Sequence, residues 1–197
     1  FDLGFGDCAN LCQFLLATRA LEGCFVGVGC FRGSSGSVAL NYMRRRGIMR
    51  HAWFLDVFDG FDYAAAKDSP DAFWADTHGT EGEAAVRARL ERHAAPEQGL
   101  HVHVRRANII TDALPAAVGA IAVADLDVDL YVAVLAGLHR LHPHMVRGGI
   151  LVVEDDGHTP LLAGARLAVD EFAASEAAKG LVRLSMESGQ TIFVNAR

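Results

Sequence analysis

The feature that most constrains this chain is a glycine-rich turn between a short apolar run and a helix-patterned stretch. Cys24 to Val28 is apolar, Gly27-Val28-Gly29-Cys30-Phe31-Arg32-Gly33-Ser34-Ser35 follows, and residues 34–46 show helical spacing closed by Gly47. A buried strand that breaks at glycines into a helix N-terminus opens a βα unit, and parallel strands need such crossovers. The alternation continues. Residues 52–57 read as a strand, 81–94 as an amphipathic helix and 100–106 as a strand of period two. Residues 120–127 read as an apolar strand ending in acids, 130–146 as a helix that Pro143 interrupts or closes, 150–153 as a strand and 161–178 as a helix. Residues 7–22 read as a helix ahead of the first strand, and 181–187 and 191–195 flank Ser188-Gly189-Gln190, a hairpin signal. The expectation is one α/β domain over 1–197, a doubly wound sheet of about seven strands with the last strand antiparallel. The polar stretch 63–80 is a candidate lid loop.

Composition narrows the function classes. With 51% hydrophobic and 21% charged residues in 197, the chain buries a sizeable core and is not disordered. Its formal net charge is -6, and its basic residues are scattered apart from Arg44-Arg45-Arg46, so it lacks the footprint of a nucleic-acid binder. No apolar run approaches the roughly 20 residues of a membrane span. Cys8, Cys12, Cys24 and Cys30 form no CxxC pair, which argues against zinc and against a disulfide scaffold. A reducing cytoplasm is the expected compartment.

Three features carry chemistry. The glycine loop lets a ligand approach the backbone and offers free N–H groups at a helix start. Its GxGxxxG spacing is not the GxGxxG of dinucleotide enzymes, and alone it equally describes a structural turn. Asp56 ends the second strand, 27 residues after Gly29, where an acid accepts hydrogen bonds from ribose hydroxyls or merely caps a turn. Asp125-Leu126-Asp127-Val128-Asp129 and Glu154-Asp155-Asp156 end two further strands. Ligands bind outside the carboxyl ends of parallel strands, so both clusters face one crevice. Crowded carboxylates repel unless a proton or cation intervenes, and all-oxygen donors suit a hard divalent ion. His158, just after the acids, is a candidate substrate contact or proton carrier, whereas His139, His142, His144, His101 and His103 read as surface residues.

Ordered segments across most of the chain resemble the macrocin O-methyltransferase family. Gly29 to Ser35 resembles that family's G-V-W-R-G-G-S loop, Phe54 to Gly60 its F-D-S-F-E-G, and Asp112-Ala113-Leu114-Pro115 its D-T-L-P. Leu126 to Tyr131 resembles L-D-G-D-L-Y, Gly148 to Asp156 resembles G-G-I-I-I-V-D-D, and Ala163 to Phe172 resembles G-A-R-x-A-V-D-E-F. The resemblance implies a Rossmann-like class I methyltransferase fold and Mg²⁺-dependent methyl transfer (Mn²⁺ being equally acceptable to carboxylates). The methyl would pass from S-adenosylmethionine to a hydroxyl of a small molecule, a sugar of an antibiotic. It implies that Asp127, Asp155 and Asp156 hold the metal and that Asp129 is the general base. The loop from Gly27, with Gly29, Arg32, Gly33, Ser34 and Ser35, would surround the methionine part. Asp56 would hold the ribose, and Ile109, Ile110 and Thr111 the adenine. A homo-oligomer, dimer or larger, is also implied.

The chain departs from the family at defined positions. Gly27 stands where the family has Glu, Asp125 where it commonly has Arg, and Asp155-Asp156-Gly157-His158 where it has D-D-Y-G. A catechol-like acceptor, a metabolite-oxidising enzyme on the same fold and a non-catalytic binding subunit are the alternatives. The retained acids argue against the last.

Overall fold

The structure, a computed structural model, describes residues 4–61, 67–68, 72–74, 76–154, 156–157 and 163–197. Asp155, His158 and part of the 63–80 stretch lie outside the described residues. Seven strands form one sheet: β1 (Cys24–Val28), β2 (His51–Asp56), β3 (His101–Arg106), β4 (Ile121–Leu126), β5 (Met145–Val153), β6 (Leu181–Ser185) and β7 (Thr191–Asn195). Their order is β3-β2-β1-β4-β5-β7-β6. The pairs among β1 to β5 are parallel, and β7 runs antiparallel to both its neighbours. The expected doubly wound sheet with its last strand antiparallel is therefore present.

The helices are α1 (Phe5–Ala17), α2 (Ser34–Arg46), α3 (Glu83–Glu91), α4 (Tyr131–Leu141) and α5 (Ala163–Ala174). Strand alternation sorts the core into two faces. Phe25, Phe54, Val123 and Val152 point toward α1, α2 and α3, meeting Leu11, Leu15, Leu40, Met43 and Leu90. Val26, Leu55, Ala124 and Val153 point toward α4 and α5, meeting Val134, Leu138, Val169 and Phe172. α2 shows why these boundaries are sharp. Gly33 and Gly47 flank it with φ of 79° and 66°, and the Gly47 and Ile48 N–H groups close its last turn onto Arg44 and Met43. Arg44, Arg45 and Arg46 lie at its negative end.

Two differences have local causes. The helix expected over 130–146 stops at Leu141, and Pro143 sits in a 3-10 turn, His142–His144. β5 then starts at Met145 rather than Ile150, because a register shift between Ile121 and Val123 of β4 absorbs Gly148-Gly149 within the strand. β3 reaches β4 through a single 3-10 turn, Ala116–Val118, without a crossover α-helix.

Candidate active site

The parallel strands end at a cavity of about 530 Å³. Each strand end contributes: Gly29, Phe31 and Arg32 after β1, Asp56 from β2, Asn108 to Ile110 after β3, Asp127 to Asp129 after β4, and Glu154 after β5. Gly4 and Asp7, at the first turn of α1, and His78 complete the wall.

The glycine loop is sewn between two strand ends. Gly29 N–H donates to the Leu55 carbonyl and Asp127 N–H to the Val28 carbonyl, both at 2.9 Å. Gly29 has φ 82°, and a Cβ there would stand 1.7 Å from the Asp127 carbonyl oxygen, so only glycine fits. Asp56 then anchors the loop from β2. Its Oδ2 accepts from Phe31 N–H and its Oδ1 from Phe58 N–H, each at 2.7 Å. Burial pushes the Asp56 carboxyl up, and the Phe58 and Phe31 N–H groups oppose that rise. Phe31, His78 and Asp129 hold positive φ without being glycine, and all three line the cavity. Such conformations persist where surrounding structure over-determines them, which is common at ligand sites.

The β3 side is equally fixed. Arg140 of α4 donates from Nε to the Ile109 carbonyl at 2.6 Å and from Nη2 to the Ile110 carbonyl at 2.8 Å. Asn108 Oδ1 accepts from Ile110 N–H at 2.9 Å. The acidic side rests on a buried relay. Gln190 donates from Nε2 to both Glu154 oxygens, at 2.9 and 2.7 Å, and its Oε1 accepts from Asn10 of α1 at 2.7 Å. Glu154 is 2% exposed. Burial, then the Asp125 and Asp127 charges, hold its carboxyl well above the usual carboxylate range.

The cavity thus unites Gly29, Arg32, Asp56, Ile109, Ile110, Asp127 and Asp129 among the residues expected there. Gly27 lies inside β1, against Phe54. Gly33, Ser34 and Ser35 start α2 behind the lining residues, and Thr111 is exposed beyond Ile110. Asp156, expected beside Asp127, turns elsewhere. It accepts from the Thr191 hydroxyl and from Arg183 Nη2 at 3.3 Å, and Arg166 Nε lies 3.7 Å away. The cause is register. Glu154 N–H donates to the Leu126 carbonyl at 3.1 Å, which puts Glu154 level with Asp127, while by Gly157 the chain is already bonded to Gly189. Glu154 therefore takes the cavity position. It belonged to the visible acidic run without a role of its own, and only strand register separates it from Asp156. Asp7 gave no sequence signal beyond being an acid in a first helical turn.

Asp127, Asp129 and Glu154 supply carboxylate oxygen, the donor type a hard divalent cation takes. Among the described residues no three His, Cys, Asp or Glu side chains converge as a complete ligand set, and Asp155 is outside them. No described helix is long and apolar enough to cross a membrane.

Comparisons with known proteins agree with this architecture. The O-methyltransferase NovP superposes with a TM-score of 0.79 at 20% identity, covering 98% of this chain and 81% of that one. The calicheamicin methyltransferase CalS11 gives 0.72 at 15% identity, covering 95% and 78%. TomG from Streptomyces achromogenes, an O-methyltransferase solved with S-adenosylmethionine, gives 0.56 at 11% identity, covering 96% and 80%. These likenesses establish the fold. No curated protein matches the chain in sequence. The family model for macrocin O-methyltransferase matches residues 9–183, spanning the glycine loop, Asp56 and both acidic strand ends, and the chain belongs to that family.

Proposed function

We propose that this O-methyltransferase moves the methyl group of S-adenosylmethionine to a hydroxyl on a sugar of a secondary metabolite, with Mg²⁺ at the acidic side of the cavity. The observation that carries the reading is the joining of Asp56 and the Gly29–Phe31 loop with Asp127, Asp129 and Glu154 in one cavity. One half is built for a nucleoside, and the other is rich in carboxylate. TomG was solved with S-adenosylmethionine, and CalS11 is described as a TDP-rhamnose 3'-O-methyltransferase, which supports this donor and this acceptor class.

Each residue then has a task. Asp56, already bonded to two backbone N–H groups, keeps lone pairs that accept the ribose hydroxyls. Ile109 and Ile110, tied down by Arg140, form the apolar bed for the base. The Gly29 loop admits the methionine chain close to the backbone. Asp127 and Glu154, with Asp155 between the strand end and Asp156, would hold the cation, which when bound makes an acceptor hydroxyl more acidic. Asp129 takes the hydroxyl proton as the acceptor oxygen forms its bond to the methyl carbon and the carbon–sulfur bond breaks. Holding the two reactants in line contributes much of the acceleration.

The test is calorimetric titration of S-adenosylhomocysteine, with Mg²⁺ and then with EDTA, followed by methylation of TDP-rhamnose. Micromolar binding, with transfer lost in Asp129→Asn while binding stays, supports the proposal. Failure of S-adenosylhomocysteine to bind under both conditions would overturn it.

A further inference from the structure

We infer that the amino-terminal edge of the sheet carries a second ligand site, separate from the catalytic cavity, that takes a small oxyanion. The argument starts from Arg50, immediately before β2 and only 8% exposed. Its Nη2 donates to the Thr18 carbonyl at 2.9 Å and the Leu21 carbonyl at 3.4 Å, both just past the end of α1. Its Nη1 is buried with no hydrogen-bond partner. Among the described residues no carboxylate lies within ion-pair distance of Arg50. A guanidinium stays protonated, so the side chain cannot shed its charge to suit a dry setting. A buried donor left without an acceptor is destabilising, and more so when it is charged.

The surroundings say what is missing. Arg50 lines a cavity of about 310 Å³ together with Gly23, Cys24, His51, Ala117 and Ala120. These residues lie at the starts of β1 and β2 and just before β4, the opposite end of the sheet from Asp56 and Asp127. No described lining residue is Asp or Glu. Cys24 does not supply the counter-charge: burial pushes its thiol up to about 11, so it stays neutral. The remaining polar ring is an imidazole. His51 Nδ1 lies 2.8 Å from His103 Nε2, and the His51 ring stacks on His101 at 4.7 Å. A guanidinium and an imidazole beside small apolar residues recognise a phosphate or a carboxylate, whose oxygens accept from such donors. The oxyanion for Arg50 is to come from a ligand.

The test uses the whole chain and two probes, inorganic phosphate and acetate, each titrated against ¹⁵N-labelled protein. The amides of Gly23, Cys24 and Ala120 are expected to shift on one saturable curve. Response to phosphate alone or to acetate alone identifies the oxyanion, and either supports the site. Arg50→Lys keeps a positive charge but removes the forked donors, and should weaken binding roughly tenfold, the value of one or two charge-assisted hydrogen bonds. Because Arg50 also holds the end of α1, melting is followed in parallel. If Arg50→Lys unfolds, His51→Ala, an exposed ring that caps no helix, decides with a several-fold loss. The inference is overturned if those three amides stay still with both probes, or if a folded Arg50→Lys or His51→Ala protein binds as the wild type does.

Discussion

Gly27 of β1 and Asp125 of β4 are direct register partners at the centre of the sheet. Gly27 offers no side chain, and the Phe54 ring fills the space, since a Cβ there would stand 3.2 Å from Phe54 Cδ1. Asp125 is 4% exposed and adds its charge to that of Glu154. At this level of the sheet the chain carries an acid on β4 and none on β1.

Asp125→Asn should therefore relax Glu154. Its raised carboxyl contributes stability that is complete below about 4.3, the ordinary value, and is lost as pH rises through its folded value. Removing the Asp125 charge brings that folded value down, so less stability is lost toward alkaline pH. Urea midpoints at about pH 6 and pH 9 should fall less with pH in Asp125→Asn than in the wild type. Equal slopes would mean that Asp125 does not govern Glu154. The converse change, Gly27→Glu, forces a long side chain into Phe54 and should destabilise by about 1–3 kcal/mol.

Two glycines with left-handed backbone should respond very differently to alanine. Gly29→Ala drives a methyl to within 1.7 Å of the Asp127 carbonyl oxygen, so β1 and β4 must part. Loss of soluble protein, or of S-adenosylhomocysteine binding with a melting point far below wild type, is expected. Gly47→Ala meets nothing within 4 Å and bears only the strain of φ 66°, about 1 kcal/mol. A comparable loss in both would place the effect in backbone strain rather than in the meeting of the two loops.

The strands, their alternation with helices and the closing hairpin were legible because each buried strand announces itself by apolar run and flanking glycine. β1 and α2 match residue for residue. The sequence pattern starts β5 at Ile150 because Gly148-Gly149 carries a turn signal, and a bulge against β4 is visible only once partners are known. The same limit governed the acids. Glu154, Asp155 and Asp156 are indistinguishable as letters, and which one meets the cavity depends on how far β5 runs beside β4. Asp7 reaches the site by the docking of α1, a tertiary event with no local signature.

Asp156 and Asp127 should separate stability from ligand binding. Asp156 is buried among Thr191, Arg183 and Arg166, so Asp156→Ala leaves Arg183 and Thr191 facing an empty polar pocket. Arg183 keeps Asp170 at 2.6 Å and stands partly in solvent, so losing the Asp156 hydrogen bonds should cost about 1–3 kcal/mol. Melting should drop sharply while affinity for S-adenosylhomocysteine in the folded fraction changes little. Asp127→Asn, at the cavity wall, should reverse the pattern, with melting near wild type and weakened binding of Mn²⁺ followed by electron paramagnetic resonance. If Asp156→Ala instead abolishes Mn²⁺ binding without destabilising the fold, Asp156 belongs to the cation and not to the arginines.

His103 predicts how the β2–β3 edge responds to acid. Its ring stacks on Trp53 at 4.2 Å and pairs with His51, and burial, then His51, Arg105 and His101, lower its pKa below the usual 6.5. The unfolded chain therefore takes up the proton first as pH falls. Stability from this residue is complete above about pH 6.5 and drains away as pH drops toward the depressed folded value. His103→Gln keeps a hydrogen-bonding group beside His51 but cannot titrate. The fall in urea midpoint between about pH 7.5 and pH 5 should be smaller in His103→Gln than in the wild type. Asp56 and Glu154, with raised carboxyls, act in the opposite direction and are common to both proteins, so the difference between them isolates the imidazole. An identical fall in both would assign the acid response to groups other than His103.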